Sequence, residues 1–243
     1  MPHHQTHILR VWGDLACFSR PELKVERFSY PCPTPSAARG VFDAIYLKPP
    51  EFRWQIEAIE LLRPPAFIAL RRNEVKDVAN AAAVAKWMAG SAEPEPIWAD
   101  ADKDFTGSDE RGRTQRQTMA LRDVAYRFHA RIVPHPGHES KQRAFDDQFA
   151  RRARAGKCFQ QPYFGCREFP AFFELEEDAA SSSPPAPVSE DLGWMIYDTF
   201  ALGRPGSPDS APSVSVFRAR IENGRLEVPP WDSDAVRKAP GGV

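Results

Sequence analysis

The sequence predicts an α+β fold: a ferredoxin-like domain over residues 1–175, a linker over 176–190, and a small antiparallel β-sheet over 191–243 that ends in a flexible tail. Three observations predict it. Strand and helix periodicities alternate as β-α-β(β)…β-α-β over residues 6–175, the order of a split βαβ repeat. The stretch "EEDAASSSPPAPVSED" is low in complexity and rich in Ser and Pro, as linkers are. Beyond it, "LGWMIYDTF", "SVSVFRARI" and "GRLEVP" read as three strands, the last two joined by the hairpin signal Glu-Asn-Gly.

The first strand is "THILRVWGDLACF", with mixed alternation and Gly13 as a candidate bulge. Thr34 or Ser36 can cap a helix in "TPSAARGVFDAIYLKPP", which Pro49 and Pro50 stop. Ala38, Phe42, Ile45 and Tyr46 share its apolar spacing, which puts Tyr46 in the last turn. "FRWQIEAIELLRP" reads as a strand and "PAFIALRRNEV" as its hairpin partner. "EVKDVANAAAVAKWMAG" has high helix propensity and closes at Gly90. The polar residues from about 90 to 114 read as a mobile insert. "TMALRDVAYRFHARIVP" is a long strand studded with arginines. In "SKQRAFDDQFARRARAGK", Phe145, Phe149 and Ala153 form one helical face, Arg151 and Arg154 lie opposite, and Gly156 ends the helix. "CFQQPYFGCREFPAFFEL" then reads as the closing strand, bulged near Pro162 or Gly165, with Arg167 and Glu168 as an ion pair.

Composition excludes several classes. No run of eighteen apolar residues exists, so no helix spans a membrane, and the absence of a signal-like start predicts a cytoplasmic protein. The four cysteines lack CxxC spacing and finger-like histidines, so they are expected to be reduced, with no chemical role for Cys158 or Cys166. His3, His4 and His7 read as a flexible end, and no metal site is expected. P-loop, GxGxxG, GxSxG and HExxH patterns are absent.

Net charge is −1, but the charge is segregated. Residues 111–167 hold 13 Lys/Arg against 4 Asp/Glu, and residues 168–243 hold 6 against 13. A basic middle interleaved with Tyr126, Phe128, Phe159, Tyr163 and Phe164 suits single strands or hairpin loops, by stacking and phosphate contact. The same domain order occurs in RNA-recognition motifs. A plainer reading has the basic middle folding against the acidic end.

Several ordered stretches carry a more specific signal. "VWGDLACFSRPE", "SYPCPTPSAARGVFDAIYLKP", "LRDVAYRFHARI" and "RRARAGKCF" followed by "YFGCREFPAFFEL" resemble the subtype I-C CRISPR-associated protein of Cas family five, over most of the chain. The resemblance implies metal-independent cleavage of CRISPR repeat RNA near the base of its stem-loop, with no cofactor. The protein would then stay on the processed RNA among other subunits of the type I-C interference complex. In that family a tyrosine near the end of the first helix and a Lys-His pair opening the later helix are associated with cleavage. Tyr46 matches the first. The pair falls on Ala144-Phe145 in one register and Lys141-Gln142 in another, and the nearest histidine is His138.

Metal-free RNA cleavage needs the 2′-hydroxyl oriented or deprotonated, the phosphate charge stabilised, and the leaving 5′-oxygen protonated. We therefore expect Tyr46 to position substrate, Lys141 to supply charge and His138 to transfer the proton. Arg143, Arg151, Arg152, Arg154 and Lys157, with Arg116, Arg122 and Tyr163, are the expected RNA-binding residues. By base rate Tyr46 is a core-edge residue, His138 a solvated loop histidine, and the arginines a solvated face. Two other functions keep the same fold: an RNA-holding subunit without cleavage, and a nonspecific binder of double-stranded DNA.

Overall fold

A computed structural model describes residues 5–23, 25–98, 103–107, 111–177, 183–203 and 212–238. The expectations for His3, His4, the far tail, and parts of the insert and linker fall outside them. The chain is mostly antiparallel sheet with few helices. Among the described residues ten strands make one sheet: β1 (Thr6–Ala16), β2 (Arg27–Phe28), β3 (Phe52–Leu61), β4 (Phe67–Val75), β5 (Arg113–Pro134), β6 (Phe172–Leu175), β7 (Glu190–Asp198), β8 (Ser215–Glu222), β9 (Arg225–Glu227) and β10 (Val236–Lys238). Its main path runs β10-β8-β9-β3-β5-β1-β6. The helices are α1 (Pro35–Ile45), α2 (Ala81–Met88), α3 (Lys103–Thr106) and α4 (Gln142–Arg154).

Local chemistry sets the helix ends. Thr34 caps α1, its hydroxyl accepting the Ala37 N–H at 3.2 Å, and Pro35 occupies the first turn, where its missing N–H costs nothing. Tyr46 lies one residue past the last turn, in extended conformation, its N–H still donating to the Phe42 carbonyl at 2.9 Å. Asn80 caps α2 and Gly90 closes it as expected.

The core forms where α1 and α4 cover the sheet. Phe42, Trp54 and Phe149 are all fully buried, with centroids 4.6–5.6 Å apart. Phe145 and Ala153 complete the expected apolar face of α4. Beneath it, His7 is buried within β1 rather than part of a flexible end, because its Nε2 meets Asp146 Oδ1 at 2.8 Å as a buried polar pair.

Four details differ from the sequence reading. First, β4 does not pair with β3. Both lie antiparallel along β5, β3 from Pro134 to Tyr126 and β4 from Leu121 to Arg113. The 22-residue β5 is long enough to serve both, so β4 and the first half of β5 form an arm. Second, the Cys158–Pro170 block is largely a folded turn, held by the Tyr163–Pro170 bridge, and only Phe172–Leu175 is strand. Its aromatics divide: Phe164 and Phe169 are buried, while Phe159 is exposed under the Arg152 guanidinium, 4.2 Å from its ring centroid. Glu168 pairs with Arg72 and Arg27, whose strands bring them closer than its neighbour Arg167. Third, Gly13 is a close approach rather than a bulge, since a Cβ there would lie 2.7 Å from the Pro170 carbonyl oxygen. Fourth, the C-terminal strands do not make a separate sheet. The β8–β9 hairpin forms with Asn223 and Gly224 at positive φ as its signal predicts, but β9 then pairs with β3 at Ala58–Glu60.

All four cysteines are free thiols. Among the described residues no helix is long and apolar enough to cross a membrane.

Candidate active site

Two turns meet at one carboxylate. The first follows α1, where Pro49 and Pro50 break the helix and the Glu51 N–H returns to the Lys48 carbonyl at 2.9 Å. This brings Lys48 Nζ to Glu51 Oε1 at 3.0 Å. The second follows β5, where the His135 N–H donates to the Glu51 carbonyl at 2.8 Å. A tight turn then carries the His138 N–H back to the His135 carbonyl at 3.0 Å, and Lys141 Nζ reaches Glu51 Oε2 at 3.0 Å. His138 Nδ1 lies 3.9 Å from the same oxygen, too far for a hydrogen bond. Among the described residues that buried nitrogen has no hydrogen-bond partner, so the imidazole faces the site without being tied there.

The electrostatics follow from this geometry. The hydrogen bonds from Lys141 and Lys48 hold the Glu51 carboxyl below the usual carboxylate range. The bond to Glu51 chiefly raises Lys48. Tyr46 is 5% exposed and packs on Phe52 at 5.2 Å. Burial pushes its phenol above the ordinary value, against the pull of Lys48 and Arg152. The tyrosine is therefore a neutral hydrogen-bonding group at any physiological pH, not a base. Burial, then the charge of Arg53, pushes His135 down.

Helix α4 fixes the site from behind. Arg152 Nε donates to the Ile45 carbonyl at 2.6 Å and the Phe159 N–H to the Ala44 carbonyl at 2.7 Å. Both close orphan carbonyls at the end of α1, next to Tyr46. Gln142 Nε2 donates to Asp146 Oδ2 at 2.9 Å and steadies the start of α4 beside Lys141.

The structure thus brings Tyr46, His138 and Lys141 to one place. It adds Lys48 and Glu51, which the sequence reading missed. Their signal is a Lys-Pro-Pro-Glu turn directly after Tyr46, which carries a cation and an acid on either side of the helix-stopping prolines.

The expected RNA-binding residues divide into two groups. Arg143, Arg151, Arg154 and Lys157 line the exposed side and end of α4. Arg143 is 94% exposed, and its nearest acid, Asp147, is 3.9 Å away. Arg151 pairs with Gln148 and Arg154 with Glu177. Arg152 is turned inward, as described, and Tyr163 is half-buried in its bridge. Arg116 and Arg122 lie on β5, with Arg116 4.0 Å from Glu26 and Arg122 opposite Leu15. Folding of the basic middle on the acidic end accounts for Arg127–Glu176 and Arg154–Glu177, and among the described residues Lys157 makes no ion pair. Among the described residues no three His, Cys, Asp or Glu side chains gather as a metal site.

Comparison with known proteins gives a consistent answer. A family model described as CRISPR-associated protein (Cas_Cas5) matches residues 6–229. A Mannheimia succiniciproducens protein named CRISPR pre-crRNA endoribonuclease Cas5d is 38% identical over 241 residues, covering 95% of this chain and 97% of its own. A Thermus thermophilus protein of the same name is 38% identical over 233 residues, covering 91% and 90%. Among solved structures, one described as a CRISPR-associated protein has a TM-score of 0.62 at 18% identity, over 98% of this chain and 99% of its own. A Streptococcus mutans protein of uncharacterized function has a TM-score of 0.61 at 19% identity, over 98% and 100%. These two structures share the fold.

Proposed function

The chain belongs to the Cas5d family of CRISPR-associated proteins, and on that premise we propose that it is an endoribonuclease that processes precursor CRISPR RNA. The observation that carries the reading is the gathering of Tyr46, His138 and Lys141 around Glu51, beside a basic helix face. Its substrate is CRISPR repeat RNA, cut near the base of the stem-loop without metal or cofactor. The protein then stays on the RNA with other subunits of a type I-C interference complex, in the cytoplasm. RNA handling belongs to residues 1–175. The antiparallel order β3-β5-β1-β6, with α1 and α4 as its crossings, supports reading that part as ferredoxin-like.

In the reaction the 2′-oxygen attacks the adjacent phosphorus and the bond to the 5′-oxygen breaks. The products are a 2′,3′-cyclic phosphate and a 5′-hydroxyl, so one proton leaves the 2′-oxygen and one reaches the 5′-oxygen. Tyr46, held neutral by burial, donates a hydrogen bond that positions the phosphate. Lys141 and Lys48 offset the charge that grows on the phosphate oxygens. His138 moves the proton. Glu51 holds both ammonium groups in the free protein and must release at least one to RNA. Arg143, Arg151, Arg154 and Lys157 contact phosphates along the stem, while Arg152 serves RNA indirectly by fixing the end of α1.

The same occupancy of both lysines favours a second reading, an RNA-holding subunit that does not cut. One experiment separates them: incubation in EDTA with repeat RNA from the protein's own locus. We expect discrete cleavage that leaves a cyclic phosphate on the upstream fragment. Tyr46→Phe, His138→Ala and Lys141→Ala should each lower the single-turnover rate by about 10²-fold or more with binding preserved. Tight binding without a cut would establish the holding subunit instead. Loss of all affinity at moderate salt, for any duplex alike, would point to nonspecific DNA binding.

A further inference from the structure

The end of β1 and the turn before β6 bring two thiols together. The Cys17 N–H donates to the Phe164 carbonyl at 3.1 Å, and Cys166 Sγ lies 4.0 Å from the Cys17 carbonyl oxygen. Both cysteines pack in one small apolar cluster with Ala120 and Phe169. Their sulfurs hydrogen-bond to each other, and Ser19 Oγ stands 3.5 Å from Cys17 Sγ. Cys17 is 1% exposed and Cys166 half-buried, so solvent reaches the pair from the Cys166 side. The two lie 149 positions apart, so cysteine spacing gave no reason to assign either a role.

Positive charge borders the pair. Arg27 Nη1 lies 3.5 Å from Cys166 Sγ and is shared with Glu168 at 3.5 Å, while its Nη2 is 3.4 Å from Glu74. Arg72, which bonds Glu168, Glu74 and Thr118, adds a second guanidinium whose charge reaches Cys17. Its Nε is buried and has no hydrogen-bond partner among the described residues.

The hydrogen bond from Cys166 outweighs burial and, with Ser19, Arg27 and Arg72, lowers the Cys17 thiol to about 6. The same bond raises the Cys166 thiol. Near neutral pH the pair therefore keeps one proton between two sulfurs, and a thiolate is the reactive form. Passage of that proton along the bond puts the thiolate on the half-exposed Cys166. The other two cysteines lack these features. Burial pushes the fully buried Cys32 thiol far up. Cys158 packs against the core, and among the described residues no thiol or guanidinium bonds its sulfur.

We propose that Cys17 and Cys166 form a modification site, a dithiol that a hydroperoxide oxidises to an intramolecular disulfide. With hydrogen peroxide, the Cys166 thiolate attacks one oxygen, the O–O bond breaks, and a sulfenic acid forms as hydroxide leaves. That hydroxide takes the Cys17 proton and departs as water. The Cys17 thiolate then attacks the Cys166 sulfur, closes the S–S bond and expels a second hydroxide, which takes a proton from solvent. The two thiols lose two electrons to the peroxide, which becomes two waters. The bond ties β1 to the turn that carries Glu168, where the two backbones are already hydrogen-bonded. This inference does not rest on the RNA-processing reading.

The test exposes the full chain, reduced and then freed of reductant, to a small excess of hydrogen peroxide. Remaining thiols are alkylated and the peptides mapped by mass spectrometry. We expect two of the four thiols to be lost and one linked peptide pair, Cys17 with Cys166, which dithiothreitol reverses. Closing so long a loop should raise the thermal midpoint by about 5 °C or more. In Cys17→Ser the reaction should stop at a Cys166 sulfenic acid that dimedone traps. Arg27→Gln should slow disulfide formation about fivefold. Thermal midpoints under reducing conditions show whether these variants are folded, and the wild-type map needs neither of them. Four intact thiols after treatment would overturn the proposal. So would a linkage through Cys32 or Cys158, or oxidation of single cysteines without any link.

Discussion

Gly165 shows how little room some single positions leave. Its φ is +78°, and a Cβ there would stand 2.0 Å from the Cys17 carbonyl oxygen, backbone that cannot swing aside. Gly165→Ala should therefore cost at least about 3 kcal/mol in urea unfolding, more than the ordinary penalty for a glycine replaced at positive φ. The sequence marked this glycine as a bend but could not say what lay against it. Glu51 was hidden for a related reason. Its partner Lys141 is ninety residues away, and no local pattern encodes a contact across that distance. Tyr46 stood out because both the helix spacing and the resemblance pointed to it, and it lies one residue past the last turn of α1.

At the scale of elements, periodicity located most strands and helices, since face alternation and caps are local properties. Partners are not local. The pattern of β4 alternates cleanly, yet nothing in it specifies β5 rather than β3. The Cys158–Pro170 block misled for another reason. Its aromatics are apolar enough for a strand, but they reach the core from turns. Helix α4 was the best-defined element, and its packing carries a prediction. Phe149 is fully buried against Trp54, Phe42 and His7. Phe149→Ala should destabilise the fold by about 3–5 kcal/mol. It should also weaken cleavage in the protein that remains folded, because α4 fixes both Lys141 and the end of α1. A melting curve and a cleavage assay at low temperature separate the two effects.

At the scale of the whole molecule, one charge network spans both parts of the chain. Glu60 on β3 accepts from Arg127 at 2.5 Å and Arg225 at 2.5 Å and meets His129 at 3.1 Å, while Arg127 also bonds Glu176 at 2.7 Å. Burial opposes ionisation of Glu60, but the bonds from His129, Arg127 and Arg225 outweigh it and hold the carboxyl down to about 2. A depressed folded pKa stabilises above the unfolded value and loses that contribution as pH falls toward the folded one. Between pH 7 and pH 3 Glu60 should therefore give up on the order of 2 kcal/mol. Chemical denaturation at both pH values tests this, and the advantage of wild type over Glu60→Gln should shrink by that amount.

The pairing of β9 with β3 has a consequence for proteolysis. A protease that cut between residues 176 and 190 would sever the chain without releasing either piece. Each fragment holds strands whose unpaired edges and apolar faces are covered only by the other. The nicked protein should run as one species on a sizing column and as two on a denaturing gel, and the fragments made separately would be insoluble until mixed.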